Sequence, residues 1–291
     1  MARIKKSTLA GRWYASDPLR LRDEVAALLR HARRPTVNRL GGLVVPHAGY
    51  MYSGAAAATG YAAIEGVAYR RVVILAPSHF RRFRGAAVLD VDGFETPLGL
   101  VTVDTDAVAA LRNQPLFRED MAPYQQEHSL EIQLPFLQHV LPAAAVVPVL
   151  LSDLSAADCT AVAGVLSGWA DSDTLFLASS DFVHYGASFG YMPFAADGLE
   201  SVRDALRRLD MGAIERVCAG DAAGFRRYVE ETGATICGRM PIEALLDLVG
   251  PYVPGELLSY YTSLDVTGDY EHSVSYASIA FPRRDTTTPD A

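Results

Sequence analysis

The chain has 291 residues, is 50% hydrophobic and carries a formal net charge of -8. This length can bury a full core, and the acidic balance argues against nucleic acid or an anionic membrane as the main partner. The most apolar window, residues 143–151, is far shorter than the roughly 20 residues of a membrane span, and the start lacks the apolar stretch of a signal peptide. Three cysteines without a close pair favour a reducing compartment, so we expect a cytoplasmic protein.

Two apolar stretches near the start each end in proline and are followed closely by a histidine. Residues 43–45 predict a buried strand ahead of His47, and residues 72–76 predict a second strand ahead of His79. A helix follows the first of them, with Ser53 as its predicted N-cap. Because ligands of open α/β sheets bind beyond the carboxyl ends of the strands, both histidines are candidate site residues.

The rest of the chain alternates between strand and helix patterns. The further predicted elements of the first half are a helix starting at Asp17-Pro18, a hairpin or excursion over 86–103, and a helical stretch over 126–137 with a kink or break at Pro135. Those of the second half are strands at 145–151 and 174–178, helices over 156–169, between 196 and 230, and over 242–249, and two antiparallel strands at 257–266 and 274–281. This alternation predicts a single-domain α/β sandwich in which helices flank a central mixed, largely parallel sheet. We predict one domain over residues 1–281 and a disordered polar tail over 282–291.

A third histidine, His184, follows the strand predicted at 174–178. It could act as an acid or base near neutral pH, with Asp181 orienting it. The less favoured alternative is that Asp181 caps the next segment. His128 lies near a predicted helix start and is either a pocket residue or a partly exposed helix residue. Its neighbours Glu127 and Glu131 could belong to a solvated helix face.

Cys237 lies in a polar loop ahead of the last predicted helix. Its thiolate could be a soft metal ligand or a nucleophile, and the alternative is a small buried thiol. Arg239 could lower the pKa of Cys237 or bind an anionic substrate. The sequence contains neither a Walker-type loop nor a dinucleotide-binding glycine pattern.

These motifs, taken together and in order, resemble the Memo-like family, whose bacterial members are often called AmmeMemoRadiSam system protein B. The matching segments are Pro46-His47-Ala48-Gly49-Tyr50 with Tyr52-Ser53-Gly54, Pro77-Ser78-His79, Glu127-His128-Ser129-Leu130-Glu131 with Gln133-Leu134-Pro135-Phe136, Ser179-Ser180-Asp181-Phe182 with His184-Tyr185, Cys237-Gly238-Arg239 with Pro241, and Ser273-Val274-Ser275-Tyr276-Ala277-Ser278. The resemblance covers nearly the whole chain. It departs at Ala76, where a glycine is usual, and at Phe80, where many members have a polar residue.

The resemblance implies a fold similar to the class III extradiol ring-cleaving dioxygenases and one bound copper or iron ion. The residues implied as its ligands are His47, His79 and Cys237. The residues implied as catalytic are His184, which matches the acid/base histidine of those enzymes, together with Asp181 and His128.

The function expected from the resemblance is that of a metal-dependent redox protein with a dioxygenase-like pocket. Its substrate does not follow from the sequence. The alternative is a non-catalytic module that binds a peptide or a protein partner in the same pocket. A homodimer is compatible with the sequence, and neither nucleic acid nor a membrane is expected as a partner.

Overall fold

The structure is a computed structural model that describes residues 2–35, 39–250 and 253–283. Residues 284–291 of the predicted disordered tail lie outside the described residues. The helices are α1 (Pro18–His31), α2 (Tyr50–Ala62), α3 (Thr105–Leu111), α4 (Leu134–Val140), α5 (Ala156–Leu166), α6 (Leu199–Cys218), α7 (Ala222–Thr232), α8 (Arg239–Val249) and α9 (Ser263–Thr267).

The strands form a large mixed sheet and a small one. They are β1 (Ile4–Lys5), β2 (Leu40–Val45), β3 (Arg71–Pro77), β4 (Gly85–Val88), β5 (Gly93–Thr96), β6 (Gly99–Thr102), β7 (Phe117–Glu119), β8 (Ala145–Ser152), β9 (Thr174–Ser179), β10 (His184–Tyr185), β11 (Glu256–Thr262) and β12 (Ser273–Pro282). The large sheet has the order β10-β12-β2-β9-β3-β8-β4-β7, with β11 also paired to β12, and the small sheet has the order β1-β5-β6.

The centre of the large sheet is parallel and apolar. β2, β9, β3 and β8 run parallel to one another, and β12 and β4 flank them in antiparallel pairing. A parallel sheet needs cover on both faces. α8 covers one face of the sheet, where its Leu245 packs against Gly42 of β2. α2 covers the opposite face, where its Gly60 packs against Val45 of β2. The predicted α/β class, with helices flanking a largely parallel central sheet, is confirmed.

The start of α2 differs from the prediction. The helix begins at Tyr50 with Gly49 as its N-cap, so Ser53 lies inside the first turn rather than at the cap. The Ser53 hydroxyl instead donates to the Ala48 carbonyl at 2.8 Å. The backbone amide of Tyr50 is satisfied from outside the helix, since it donates to the Trp13 carbonyl at 3.0 Å.

The helical stretch predicted over 126–137 is shorter and begins later. A 3-10 turn covers Glu131–Gln133 and leads into α4, where Pro135 lies in the first turn. Proline is tolerated there because the first amides of a helix have no intrahelical acceptor. Pro135 therefore marks a helix start rather than a break. The last strands are antiparallel as predicted, but β11 ends at Thr262 and Ser263–Thr267 is helical.

Candidate metal centre

Three strands bring candidate residues to one edge of the sheet. β2 and β9 end in register, with Val45 opposite Ser179, and β3 is the other neighbour of β9. His47, Asp181 and His79 each lie two residues beyond the last residue of their strand. Equal offsets from adjacent parallel strands place the three side chains together, and the His47 and His79 rings lie 5.2 Å apart between centroids.

A buried serine fixes the protonation of the His47 ring. Nδ1 of His47 lies 3.0 Å from the Ser179 hydroxyl. That hydroxyl donates to the Ser129 carbonyl at 2.5 Å and accepts from the Gln133 side-chain amide at 2.8 Å. Because the hydroxyl proton is already used, Nδ1 must be the donor to Ser179. Nε2 of His47 therefore carries a free lone pair when the ring is neutral, and burial followed by the neighbouring His79 holds the pKa of His47 well below its ordinary value.

A buried carboxylate fixes the His79 ring in the same way. Oε1 of Glu127 lies 2.8 Å from Nδ1 of His79, and Oε2 accepts from the His79 amide at 2.6 Å. Oε1 also accepts from the amides of His128 and Ser129, each at 3.0 Å. Burial alone would raise the pKa of Glu127, but the hydrogen bond from His79 and the nearby imidazoles lower it to about 2. A carboxylate that holds Nδ1–H leaves Nε2 of His79 free as a ligand.

The Cys237 thiol contacts His47 from the loop that precedes α8. Sγ of Cys237 lies 3.1 Å from Nε2 of His47 and 3.6 Å from the Asp181 carbonyl oxygen. Burial, followed by the charge of Asp181, raises the pKa of Cys237 well above its ordinary value. The expectation that Arg239 lowers this pKa is wrong, since Arg239 is exposed on α8 and burial dominates.

A glycine allows this approach of the Cys237 loop. A Cβ atom at Gly238 would lie 2.6 Å from the Ser179 carbonyl oxygen, far inside van der Waals contact. The Gly238 amide also donates to the Ser180 hydroxyl at 3.1 Å. The loop that carries the thiol is therefore packed directly against the end of β9.

The donor set fits a single metal ion. The ligand atoms of His47, His79 and Cys237 all lie within 4.8 Å of one another. Metal bonds of about 2.0–2.3 Å in tetrahedral geometry separate neighbouring ligand atoms by about 3.3–3.8 Å, so small side-chain movements suffice. Two imidazole nitrogens and one sulfur suit copper, zinc or iron, and binding would release the thiol proton.

His184 lines the same cavity but is oriented by backbone groups. Its Nδ1 lies 3.0 Å from both the Phe182 and the Thr235 carbonyl oxygens, so Nδ1 is the donor and Nε2 carries the lone pair when the ring is neutral. Thr235 also accepts from the His184 amide at 2.9 Å through its hydroxyl. Among the described residues no hydrogen bond joins Asp181 to His184. The expected orienting role of Asp181 is replaced by these two carbonyls.

Asp181 and His128 complete the wall around the histidines. Oδ1 of Asp181 accepts from the His47 amide at 2.7 Å, and Oδ2 lies 4.0 Å from Nε2 of His47. Asp181 therefore orients the His47 loop rather than capping the segment that follows. The His128 ring contacts those of His79 and Trp13 at centroid distances of 4.5 Å each. Burial and the neighbouring imidazoles lower the pKa of His128 to about 3, so it is neutral near pH 7.

Glu131 anchors the N-terminal segment that covers the site, a role the sequence did not indicate. Its carboxylate is buried and accepts from Ser7, Thr8, Leu9 and Tyr14 at 2.7–3.0 Å. The same segment places Arg12 and Trp13 on the wall of the cavity. Glu127 and Glu131 are thus both buried anchors, and the expectation of a solvated helix face is wrong for both.

The site opens into a cavity of about 650 Å³. The cavity lining comprises Arg12, Trp13, His47, Ala48, Gly49, Tyr52, His79, His128, Asp181, His184, Phe189, Ser263, Thr267, Asp269, His272, Ser273, Val274 and Tyr276. Aromatic residues and histidines make up nine of these eighteen lining residues.

A family model described as Memo-like protein matches residues 5–280 of the chain. A MEMO1 family protein of Methanopyrus kandleri is 35% identical, over 96% of this chain and 99% of that protein. The Protein memo-1 homolog of Caenorhabditis elegans is 30% identical, over 94% of this chain and 81% of that protein. Protein MEMO1 of Danio rerio is 31% identical, over 94% of this chain and 96% of that protein.

Among solved structures, an uncharacterized protein from Escherichia coli K12 is similar with a TM-score of 0.52 and 13% sequence identity. The match covers 84% of this chain and 100% of that chain, and supports the fold alone. Within residues 2–35, 39–250 and 253–283, no helix combines the length and the apolar character that crossing a bilayer would require.

Proposed function

This chain belongs to the Memo-like family, and on that premise we propose that it is a copper- or iron-dependent redox protein. The proposed metal ligands are His47, His79 and Cys237. The observation that carries the proposal is the orientation of both imidazoles. Ser179 and Glu127 hold each Nδ1 as a donor, which leaves each Nε2 lone pair directed to a common point near the thiol.

A copper or iron ion held there would supply one-electron chemistry at the inner end of the cavity. The residues of the chain then bind the substrate, orient it and move protons. Nδ1 of His184 is held by the Phe182 and Thr235 carbonyls, so Nε2 is the ring nitrogen through which His184, which lines the cavity, can exchange a proton with a substrate. The carboxylate of Asp181 and the neutral ring of His128 would keep the reacting end of the cavity polar.

The proposal also assigns the protein to the cytoplasm. Cys237 can bind a metal only as a reduced thiolate, and Cys159, Cys218 and Cys237 are all free thiols.

Metal analysis of full-length protein purified without oxygen tests the proposal. We expect about one equivalent of copper or iron in the parent protein, and oxygen uptake with some member of a catechol panel. His47→Ala should lose the metal, whereas His139→Ala, at an exposed position on α4, should retain it. Parent protein that binds neither copper nor iron in a competition assay would rule the proposal out.

A binding module for a peptide or protein partner is the second candidate, and two exposed rings favour it. Phe80 is 54% exposed and its ring contacts that of His128, while Phe189 is 42% exposed and lines the cavity. Large exposed aromatic side chains are typical of interaction surfaces. A stable metal-free protein that binds a peptide through these rings would favour this candidate over the enzyme.

A further inference from the structure

Arg12 presents a positive charge at the mouth of the cavity. Its side chain is exposed and lines the cavity beside Trp13. Within residues 2–35, 39–250 and 253–283, no carboxylate lies within ion-pair distance of the Arg12 guanidinium, and no hydrogen bond is formed by its side chain. The charge is therefore available to a ligand that enters the cavity.

The backbone that carries Arg12 is held in place from two sides. The amides of Arg12 and Trp13 donate to the Leu9 carbonyl at 2.9 and 3.0 Å. The Leu9 amide in turn donates to the buried carboxylate of Glu131 at 3.0 Å, and the Trp13 carbonyl accepts from the start of α2. A ligand would meet a cation whose backbone is already ordered, which reduces the entropy lost on binding.

The acidic side chains of the cavity wall, Asp181 and Asp269, already accept hydrogen bonds from backbone amides. Asp181 accepts from the His47 amide at 2.7 Å. Asp269 accepts from the amides of Glu271 and His272 at 2.9 and 3.1 Å. Neither carboxylate neutralises Arg12, so the mouth keeps a positive site although the whole chain carries a net charge of -8.

The aromatic residues that line the cavity favour a flat ligand. Trp13 and Phe189 contribute rings to its wall, and Tyr52 and Tyr276 add two more. Aromatic walls stack on planar groups, and a guanidinium forms two parallel hydrogen bonds with a carboxylate.

We propose that Arg12 binds the carboxylate of a planar organic acid, whose body extends between the aromatic rings toward His47, His79 and Cys237. The proposal rests on the proposed function for the chemistry at the inner end, and it names the class of substrate. Arg12 takes the role that the sequence had suggested for Arg239, which is exposed on α8 and does not line the cavity.

Binding of a matched pair of probes tests this subsite. Benzoate and benzamide have the same ring and similar size, and only benzoate is charged. We would titrate both into full-length protein by calorimetry, once without metal and once loaded with copper, because metal-free protein reports on Arg12 independently of the metal proposal. We expect benzoate to bind about tenfold or more tightly than benzamide, with an affinity that falls as salt is raised.

Variants of Arg12 locate the effect. Arg12→Gln should remove the preference for benzoate without changing the affinity for benzamide, and Arg12→Lys should retain only part of it, because an ammonium lacks the bidentate geometry. Arg208→Gln, which removes an exposed charge on α6 outside the cavity, is the matched control and should behave as the parent.

Four results would overturn the subsite. The parent could bind both probes equally, or fail to bind benzoate at about 10 mM. The preference for benzoate could survive in Arg12→Gln, or be lost equally in Arg208→Gln. A parent protein that prefers benzoate yet binds no metal would instead sink the proposed function and leave the anion subsite standing.

Discussion

The sulfur of Cys237 lies 3.1 Å from Nε2 of His47, although 190 residues separate the two in sequence. His47 follows a central strand, whereas Cys237 lies in the loop ahead of α8. A metal bound by both would link the segment after β2 to the loop ahead of α8, which are far apart in sequence. Its binding should therefore stabilise the whole fold rather than one loop.

Replacing Cys237 with serine should weaken copper binding by at least about 100-fold, because a hydroxyl is a far poorer ligand for copper than a thiolate. The unfolding temperature of the metal-free protein should change little, since serine has nearly the same volume. Competition with a copper chelator measures the affinity, and Cys218→Ser serves as the matched control on α6. Cys237→Glu should shift the preference toward Fe(II) if the longer side chain fits. Unchanged copper affinity in Cys237→Ser would mean that the thiol is not a ligand.

His184→Ala should retain most of the metal and lose turnover by roughly 10²–10⁴-fold, as expected for a missing general acid or base. The reason is that His184 lines the cavity and its Nδ1 is held by two backbone carbonyls, which leaves Nε2 as the ring nitrogen that can exchange a proton. Metal content and oxygen uptake measured on the same sample separate the two effects. If metal and activity disappear together, His184 is a ligand instead.

Glu131→Gln should destabilise the protein by about 2–4 kcal/mol, because buried hydrogen bonds to a charged acceptor are lost and an amide donor then faces donors. Urea denaturation measures this free energy of unfolding, with the exposed Glu230→Gln as control. Hydrogen exchange adds a local readout: the amides of Thr8 and Leu9 donate to Glu131 and should be protected only in the parent. Equal stability of the two variants would show that Glu131 is not the anchor.

Asp210 should give the protein a distinct dependence of stability on pH. Its buried carboxylate accepts from the Val183 amide at 3.1 Å and the Tyr260 hydroxyl at 2.8 Å, yet burial raises its pKa to about 6. The folded state therefore binds more protons than the unfolded state between about pH 4 and 6, so this group lowers stability as pH rises through that window.

Asp210→Asn removes this titration. The difference in the free energy of unfolding, variant minus parent, should increase by about 3 kcal/mol as the pH is raised from 4 to 7. Urea denaturation at several pH values measures the difference. Parallel pH profiles for the parent and the variant would show that Asp210 has an ordinary pKa in the folded protein.

The sequence predicted the strand-end histidines well because their signal is local. An apolar run, a proline and a histidine occur within a few residues, and parallel strands bring such positions to one edge. Cys237 offered no comparable local signal: its polar loop is compatible with a ligand, a nucleophile or a structural thiol, and only the family motif favoured a ligand.

The anchoring carboxylates could not be predicted from local patterns. Glu127 and Glu131 are four residues apart and charged, which is typical of an exposed helix face. The partners that bury Glu131 lie 117 to 124 residues away, between Ser7 and Tyr14. Similarly, Ser53 has the chemistry of an N-cap, but the helix begins earlier because the Trp13 carbonyl accepts from the Tyr50 amide.

Gly238 is not a metal ligand, yet the geometry of the metal centre depends on it. A side chain there would collide with the Ser179 carbonyl, which belongs to a central strand and cannot retreat, so the loop would move and carry the Cys237 thiol away from His47. An alanine at this position would leave every ligand in the sequence and still disable the site. The presence of the three ligands in a homologous sequence is therefore not enough to infer that the protein binds the metal. The homologue must also keep the glycine next to the cysteine.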